Sequence, residues 1–306
     1  MSSLRSEQPS LGDQLRAEAS GVQEQLTDEL LTAAEPYAAT KPKRLSQVAS
    51  LFFKLSLTQH TLPAVYTVVF WWLSTALIIY FNFQPALRTA LFVSSFGFAS
   101  LALWMLVRFR NETSVRASYL TFTAGSLLWA FVEVSFYTGF IVGPPLRPIF
   151  SIGPSMETFF RAVHQSLYHE LLVLGLATSL AVFSWRAKNK FGFYTFLLFW
   201  LMHQSTKLNV FFGVANINRD FIPEPVSAIA QYMTIASMNW LFPISITVCT
   251  IVSYRLLRRV HESTAAWQKV GYVLIGMMSL LALLEHWLLV LPLDKTLWDI
   301  AIKRFH

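Results

Sequence analysis

Charge is what this sequence has least of. Asp, Glu, Lys and Arg together supply 13% of its 306 residues, about half the share of a soluble globular domain. Cysteine is almost absent as well: Cys249 stands alone, which excludes a disulfide within the chain and any cysteine-built metal centre. It lies in an apolar run and reads as a small packing residue rather than a reactive thiol. No P-loop, dinucleotide fingerprint or nucleophile elbow occurs. The opening MSSLRSEQPSLGDQLRAEAS has no apolar h-region, so insertion is expected to use the first true span rather than a cleaved signal peptide.

In place of charge there is apolar and aromatic bulk. Hydrophobic residues make up 54%, with 26 Phe and 10 Trp, and mean hydropathy is +0.47. This composition belongs to a polytopic membrane protein whose partner is the lipid bilayer. The expected fold is all-α: a bundle of about seven transmembrane helices preceded by a cytoplasmic amphipathic helical segment. Runs long enough to cross lie near 62–82, 87–109, 118–143, 161–184, 191–212, 238–257 and 269–291. Residues 1–40 read as a soluble helical segment, with a capping-box pattern at Ser10 and Asp13 and apolar spacing through Leu11, Leu15, Val22, Leu26 and Leu30. Residues 41–60 read as a basic amphipathic helix in the headgroup plane, with Lys41, Lys43, Arg44 and Lys54 beside Leu45, Val48, Leu51 and Phe52. The bundle occupies 61–292, and 293–306 form a short tail.

A net charge of +7 raises the question of nucleic acid, but the bases flank the spans, as membrane topology demands. On the side of the N-terminus stand Arg108, Arg110, Arg116, Arg186, Lys188, Lys190, Arg255, Arg258, Arg259 and Lys269. Opposite loops hold Arg88, Arg147, Arg161 and Arg219. The positive-inside rule then puts the N-terminus in the cytoplasm and the C-terminus outside.

Against that background, ionisable residues inside the spans stand out. They are Glu133, His169, Glu170, Lys207, Glu285 and His286, with Asn209 as a neutral companion. Such groups cost several kcal/mol in lipid unless paired, so they face a bundle interior. At roughly 1.5 Å of rise per residue, Glu133 lies about 15 Å below the outer surface, and His169 and Glu170 roughly 12 Å. Lys207 lies about 8 Å down, and Glu285 and His286 roughly 8–9 Å. Four spans thus deliver them to one layer. Ionised, the three carboxylates outweigh Lys207, and the excess is relieved by protonation, by imidazolium formation or by a divalent cation. Three readings stay open: a polar network that packs the helices, a transition-metal or proton-handling site made from Glu133, His169, Glu170, Glu285 and His286, or a ligand set for a pigment. His203 and His164 are weaker candidates.

Several segments together resemble one family. They are VVFWWLSTALIIYF, SYLTFTAGSLLWAFVEVSFYTGFIVGP, YHELLVLGL, FGFYTFLLFWLMHQSTKLNVFFGVANINRDFIPEP, MNWLFPISIT and LEHWLLVLPL. In order, from about residue 63 to 298, they are similar to photosynthetic complex assembly protein 2, the PuhE family of bacteria that make bacteriochlorophyll. The resemblance implies that Glu133, His169, Glu170, Lys207, Asn209, Glu285 and His286 occupy motif positions. Val132 stands where the family often has His, His203 where it tends to have Arg, and residues 1–60 have no counterpart.

What the resemblance implies is an assembly factor for reaction-centre or light-harvesting complexes, with an effect on bacteriochlorophyll supply. Its partners would be subunits of those complexes or pigment-synthesis proteins, and its location the bacterial inner or intracytoplasmic photosynthetic membrane. With no known catalytic motif, the expectation is a non-enzyme. The alternative is a membrane-embedded enzyme handling a metal or tetrapyrrole through the Glu/His layer.

Overall fold

The computed structural model describes residues 21–27, 29, 50, 54, 56–144, 146, 153–217, 219 and 222–291. The chain divides into Met1–Leu57 and Thr58–His306. In the first unit, residues 21–27 form an exposed helix. The Ser10 capping box, most of the interfacial helix expected at 41–60, and the tail 293–306 lie outside the described residues.

The second unit is helical, and among the described residues it holds no strand, only an isolated parallel bridge between Val214 and Ile235. Leu62–Asn82 (α1) carries a proline in its first turn, where the missing N–H breaks no helical bond. A 3₁₀ turn, Pro85–Leu87, leads into Arg88–Phe109 (α2). Val115–Tyr137 (α3) starts where the Ser114 hydroxyl accepts the Ala117 N–H at 3.1 Å, satisfying one of the free donors of the first turn. It stops short of the end expected at 143, because Gly139 turns the chain at φ +83°. Then follow Met156–Gln165 (α4), Leu167–Ser184 (α5) and Phe191–Phe212 (α6). A 3₁₀ segment, Glu224–Tyr232, precedes Leu241–Glu262 (α7) and Ala266–Leu288 (α8).

Among the described residues, six helical stretches are long and apolar enough to cross a membrane: Leu57–Asn82, Pro85–Phe109, α3, α5, α7 and α8. The seventh run expected from sequence, 191–212, is helical as α6 but is not one of these six. His203, Gln204, Ser205, Thr206, Lys207 and Asn209 crowd its second half and lower its hydropathy.

The run expected at 161–184 is also not one helix. It breaks at Ser166 (φ −106°, ψ 15°), so α4 and α5 are separate. The cause is tertiary. The carbonyl of Val142 accepts the His169 N–H at 3.0 Å, taking up a donor from the first turn of α5. Gly143 makes that approach feasible, since a Cβ there would sit 2.4 Å from the Gln165 carbonyl oxygen and 2.6 Å from that of His164.

At the middle of the bundle is α3, whose Phe122, Leu128 and Val132 are fully buried. One apolar cluster joins it to α2, α5 and α6, and another joins it to α6, α7 and α8. Its crossing with α6 is backbone to backbone: a Cβ on Gly125 would lie 2.3 Å from the Gly192 carbonyl oxygen. Small residues at such crossings let membrane helices gain dispersion contact, which is what holds them when lipid offers no hydrophobic drive. Below this crossing, Ser118 donates to the Trp267 carbonyl at 2.7 Å and Thr121 to Asn189 Oδ1 at 3.2 Å.

Candidate functional site

The helices α1, α3, α6 and α8 run in the same direction, and their C-terminal halves form what is called here the upper half of the bundle. The ionisable residues gather there, mostly in pairs. On α5, Glu170 receives the Lys207 ammonium at 2.6 Å and the Gln204 amide at 2.6 Å. Both partners lie on α6, at positions three apart on one face. The Lys207 ammonium also lies 5.6 Å from the centre of the Phe136 ring, within cation–π range. One charge is thereby matched by one opposite charge, an amide and an aromatic face.

The neighbouring His169 points elsewhere, as adjacent positions about 100° apart must. It is buried between the Phe136 ring at 4.6 Å and the His203 ring at 5.9 Å. Neither of its ring nitrogens has a hydrogen-bond partner.

Across the same layer, Glu133 Oε1 lies 3.3 Å from His203 Nδ1. The contact is electrostatic rather than a well-aimed hydrogen bond, since Oε1 counts as buried without a hydrogen-bond partner. A proton on Nδ1 suits it, and that leaves His203 Nε2 as a bare lone pair, itself buried and unpartnered.

Tautomer logic also fixes His286. Its Nδ1 lies 2.8 Å from the Ala282 carbonyl, which can only accept, so Nδ1 carries the proton. Nε2 then accepts from the Ser205 hydroxyl at 2.9 Å. Both nitrogens are therefore engaged, and His286 has no lone pair to offer a metal.

Asn209, fully buried, donates to the Ser205 carbonyl at 2.9 Å and to Ser245 Oγ at 2.8 Å. Asn239 donates to the Gly213 carbonyl at 2.8 Å, while its own Oδ1 accepts the Leu241 and Phe242 N–H groups at 2.8 and 3.0 Å. The same amide also reaches the carbonyl and side-chain oxygens of Asn209. This cluster closes the end of α6 and opens α7. Its role is to satisfy helix-end groups at buried positions.

Glu285 has no partner of this kind. It is exposed and borders an open-sided cavity of about 550 Å³ lined by α1, α3, α6 and α8. Glu133, His203 and Asn82 share that cavity with it, and aromatic side chains such as Trp71, Trp129 and Phe199 line its deeper part.

Of the residues singled out from sequence, the structure gathers Glu133, His169, Glu170, Lys207 and His203 into one neighbourhood. His286 and Asn209 lie in hydrogen-bonded positions beside it. His164 does not join them: it sits on α4, beyond the break at Ser166, and is exposed. Among the described residues, no three His, Cys, Asp or Glu side chains converge closely enough to hold a metal ion. Sequence reasoning missed Gln204, Ser205, Asn239 and Asn82. A neutral polar residue one turn from a charged one, as Gln204 is from Lys207, was the available signal.

Comparison with known proteins adds a lineage. The family described as "Protein of unknown function (DUF3623)" matches residues 57–305. A relative from Rhodobacter capsulatus, "Uncharacterized 30.4 kDa protein in puhA 5'region", is 34% identical over 243 residues, covering 78% of this chain and 89% of the relative. No solved structure matches.

Proposed function

The chain belongs to the DUF3623 family, and on that premise we propose that it is a membrane-embedded, non-catalytic assembly factor for bacterial photosynthetic complexes. The observation that carries the reading is the name of the Rhodobacter capsulatus relative, which puts it in the 5′ region of puhA. The sequence resemblance to photosynthetic complex assembly proteins supports the same reading. In this proposal α6 is the seventh span, its polar half shielded by α3, α5 and α8. The N-terminus is cytoplasmic, the C-terminus periplasmic, and the host membrane is the photosynthetic inner membrane.

The geometry favours holding over catalysis. Glu170 and His286 are satisfied by neighbouring side chains, and among the described residues no activated nucleophile is set beside a base and an orienting group. The partner surface would be the apolar outer faces of α1, α2 and α5. There Trp72, Leu73, Phe96, Trp104, Leu171 and Val182 are exposed, and reaction-centre or light-harvesting subunits or pigment-synthesis proteins could pack within the bilayer. Affinity purification of the tagged protein in mild detergent should recover such subunits. Their absence from the eluate, together with normal complex levels in a deletion strain, would contradict the assignment.

A second reading, handling of a metal or tetrapyrrole, is favoured by one observation: His169 is buried with both ring nitrogens unpartnered. Elemental analysis and absorption spectra of the purified protein test it. Neither metal nor pigment in the preparation, with wild-type behaviour of His169→Ala, would remove it.

A further inference from the structure

We propose that the cavity between α1, α3, α6 and α8 is a binding site for a neutral, mainly apolar molecule whose head group donates hydrogen bonds through hydroxyls, a quinol or an isoprenoid alcohol. The inference is independent of the assembly role, because it concerns what the isolated protein binds.

The first argument is architectural. In its lower half α1 is fastened to the bundle, with Tyr66 and Thr123 hydroxyls 2.7 Å apart and Thr67 donating to the Leu274 carbonyl at 3.4 Å. Above these ties, Trp71 still packs against the cluster of Phe122, Leu274 and Met278, and beyond it the face of α1 that carries Thr75, Ile78 and Asn82 borders open space. At about 550 Å³, that space falls within the usual range for small-molecule sites.

The second argument is chemical. Among the described residues, the side-chain atoms of the cavity lining that are both fully buried and unbonded are acceptors. Asn82 is 4% exposed, and its side-chain oxygen is buried and unbonded. Glu133 Oε1 is buried without a hydrogen bond. His203, with its Nδ1 turned to Glu133, has an unbonded Nε2, and Glu285 adds a carboxylate at the exposed rim. Buried acceptors left bare cost free energy, and a donor restores it.

Among the described residues no Lys or Arg lines the cavity, so a phosphate-bearing lipid head finds no counter-charge there. A hydroxyl is far cheaper than an ammonium to strip of water at the acceptor end. The aromatic walls suit a ring or an unsaturated chain. A hydroxylated head at the acceptor end with an apolar body below it satisfies both halves of the cavity.

The test uses the full-length protein in lipid nanodiscs, with decylubiquinol and geranylgeraniol as probes and the O-methyl ether of each as its donor-less counterpart. Saturable binding of one alcohol, at least roughly tenfold tighter than its ether, is the expected result, and whichever alcohol binds identifies the head-group source. Glu133→Gln and Asn82→Leu should weaken that alcohol by roughly tenfold or more, and Ala130→Phe, which fills the apolar end, should abolish binding. Saturable binding of neither alcohol, or equal affinity for alcohol and ether, would overturn the proposal. So would unchanged affinity in all three variants. If a variant fails to fold, the wild-type comparison of alcohol with ether decides alone.

Discussion

At the scale of single residues, the buried layer behaves as a set of local bargains between charge and its surroundings. The Glu170–Lys207 contact at 2.6 Å is half-shielded, with the two side chains 26% and 29% exposed. Lys207→Met strands a carboxylate in that setting and should lower unfolding stability by about 1–3 kcal/mol. Adding Glu170→Gln should recover a good part of the loss, since it removes the uncompensated charge. Thermal melts in detergent check this, and a double variant worse than the single one would contradict it. For His286 and Ser205, the coupling energy of an Ala/Ala double-mutant cycle should fall near 0.6–2 kcal/mol, the range for hydrogen bonds between membrane helices. Glu133, Glu170 and Lys207 were legible because a charge inside an apolar run demands an explanation. Gln204, Ser205 and Asn82 were not, because neutral polar residues enter spans without comparable penalty.

At the scale of elements, the apolar runs announced α1, α2, α3, α7 and α8; the structure keeps α1 at its expected ends and the other four with shifted ends. The break at Ser166 had no local signal. Neither proline nor glycine marks it, and its cause, the Val142 carbonyl on the His169 amide, is far away in sequence. That is also why His164 was grouped with residues it does not meet. Gly143→Leu should undo the docking, because its Cβ would press on the Gln165 and His164 carbonyl oxygens. A destabilisation of about 1–3 kcal/mol is expected, in the range of overpacked cores. Chemical unfolding in detergent measures it, and a variant as stable as the parent would show that the loop does not hold the break.

At the scale of the whole molecule, the parallel helices α1, α3, α6 and α8 line an open-sided cavity, and α3 also anchors α2 and α5. Exposed apolar side chains on α1, α2, α5 and α7 leave outer faces for lipid or for other membrane subunits. The proposed topology predicts that reporters fused at the N-terminus are active only in the cytoplasm and those at the C-terminus only in the periplasm. An opposite pattern at either end would remove α6 or another helix from the set of spans. The assembly role itself is tested most directly by the amount of mature complex in a deletion strain, read from the near-infrared absorption of isolated photosynthetic membranes. The account predicts a clear loss of assembled reaction-centre or light-harvesting absorption, restored by the wild-type gene, with transcripts of the structural subunits unchanged. Membranes with the parental spectrum and the parental amount of each complex would contradict it.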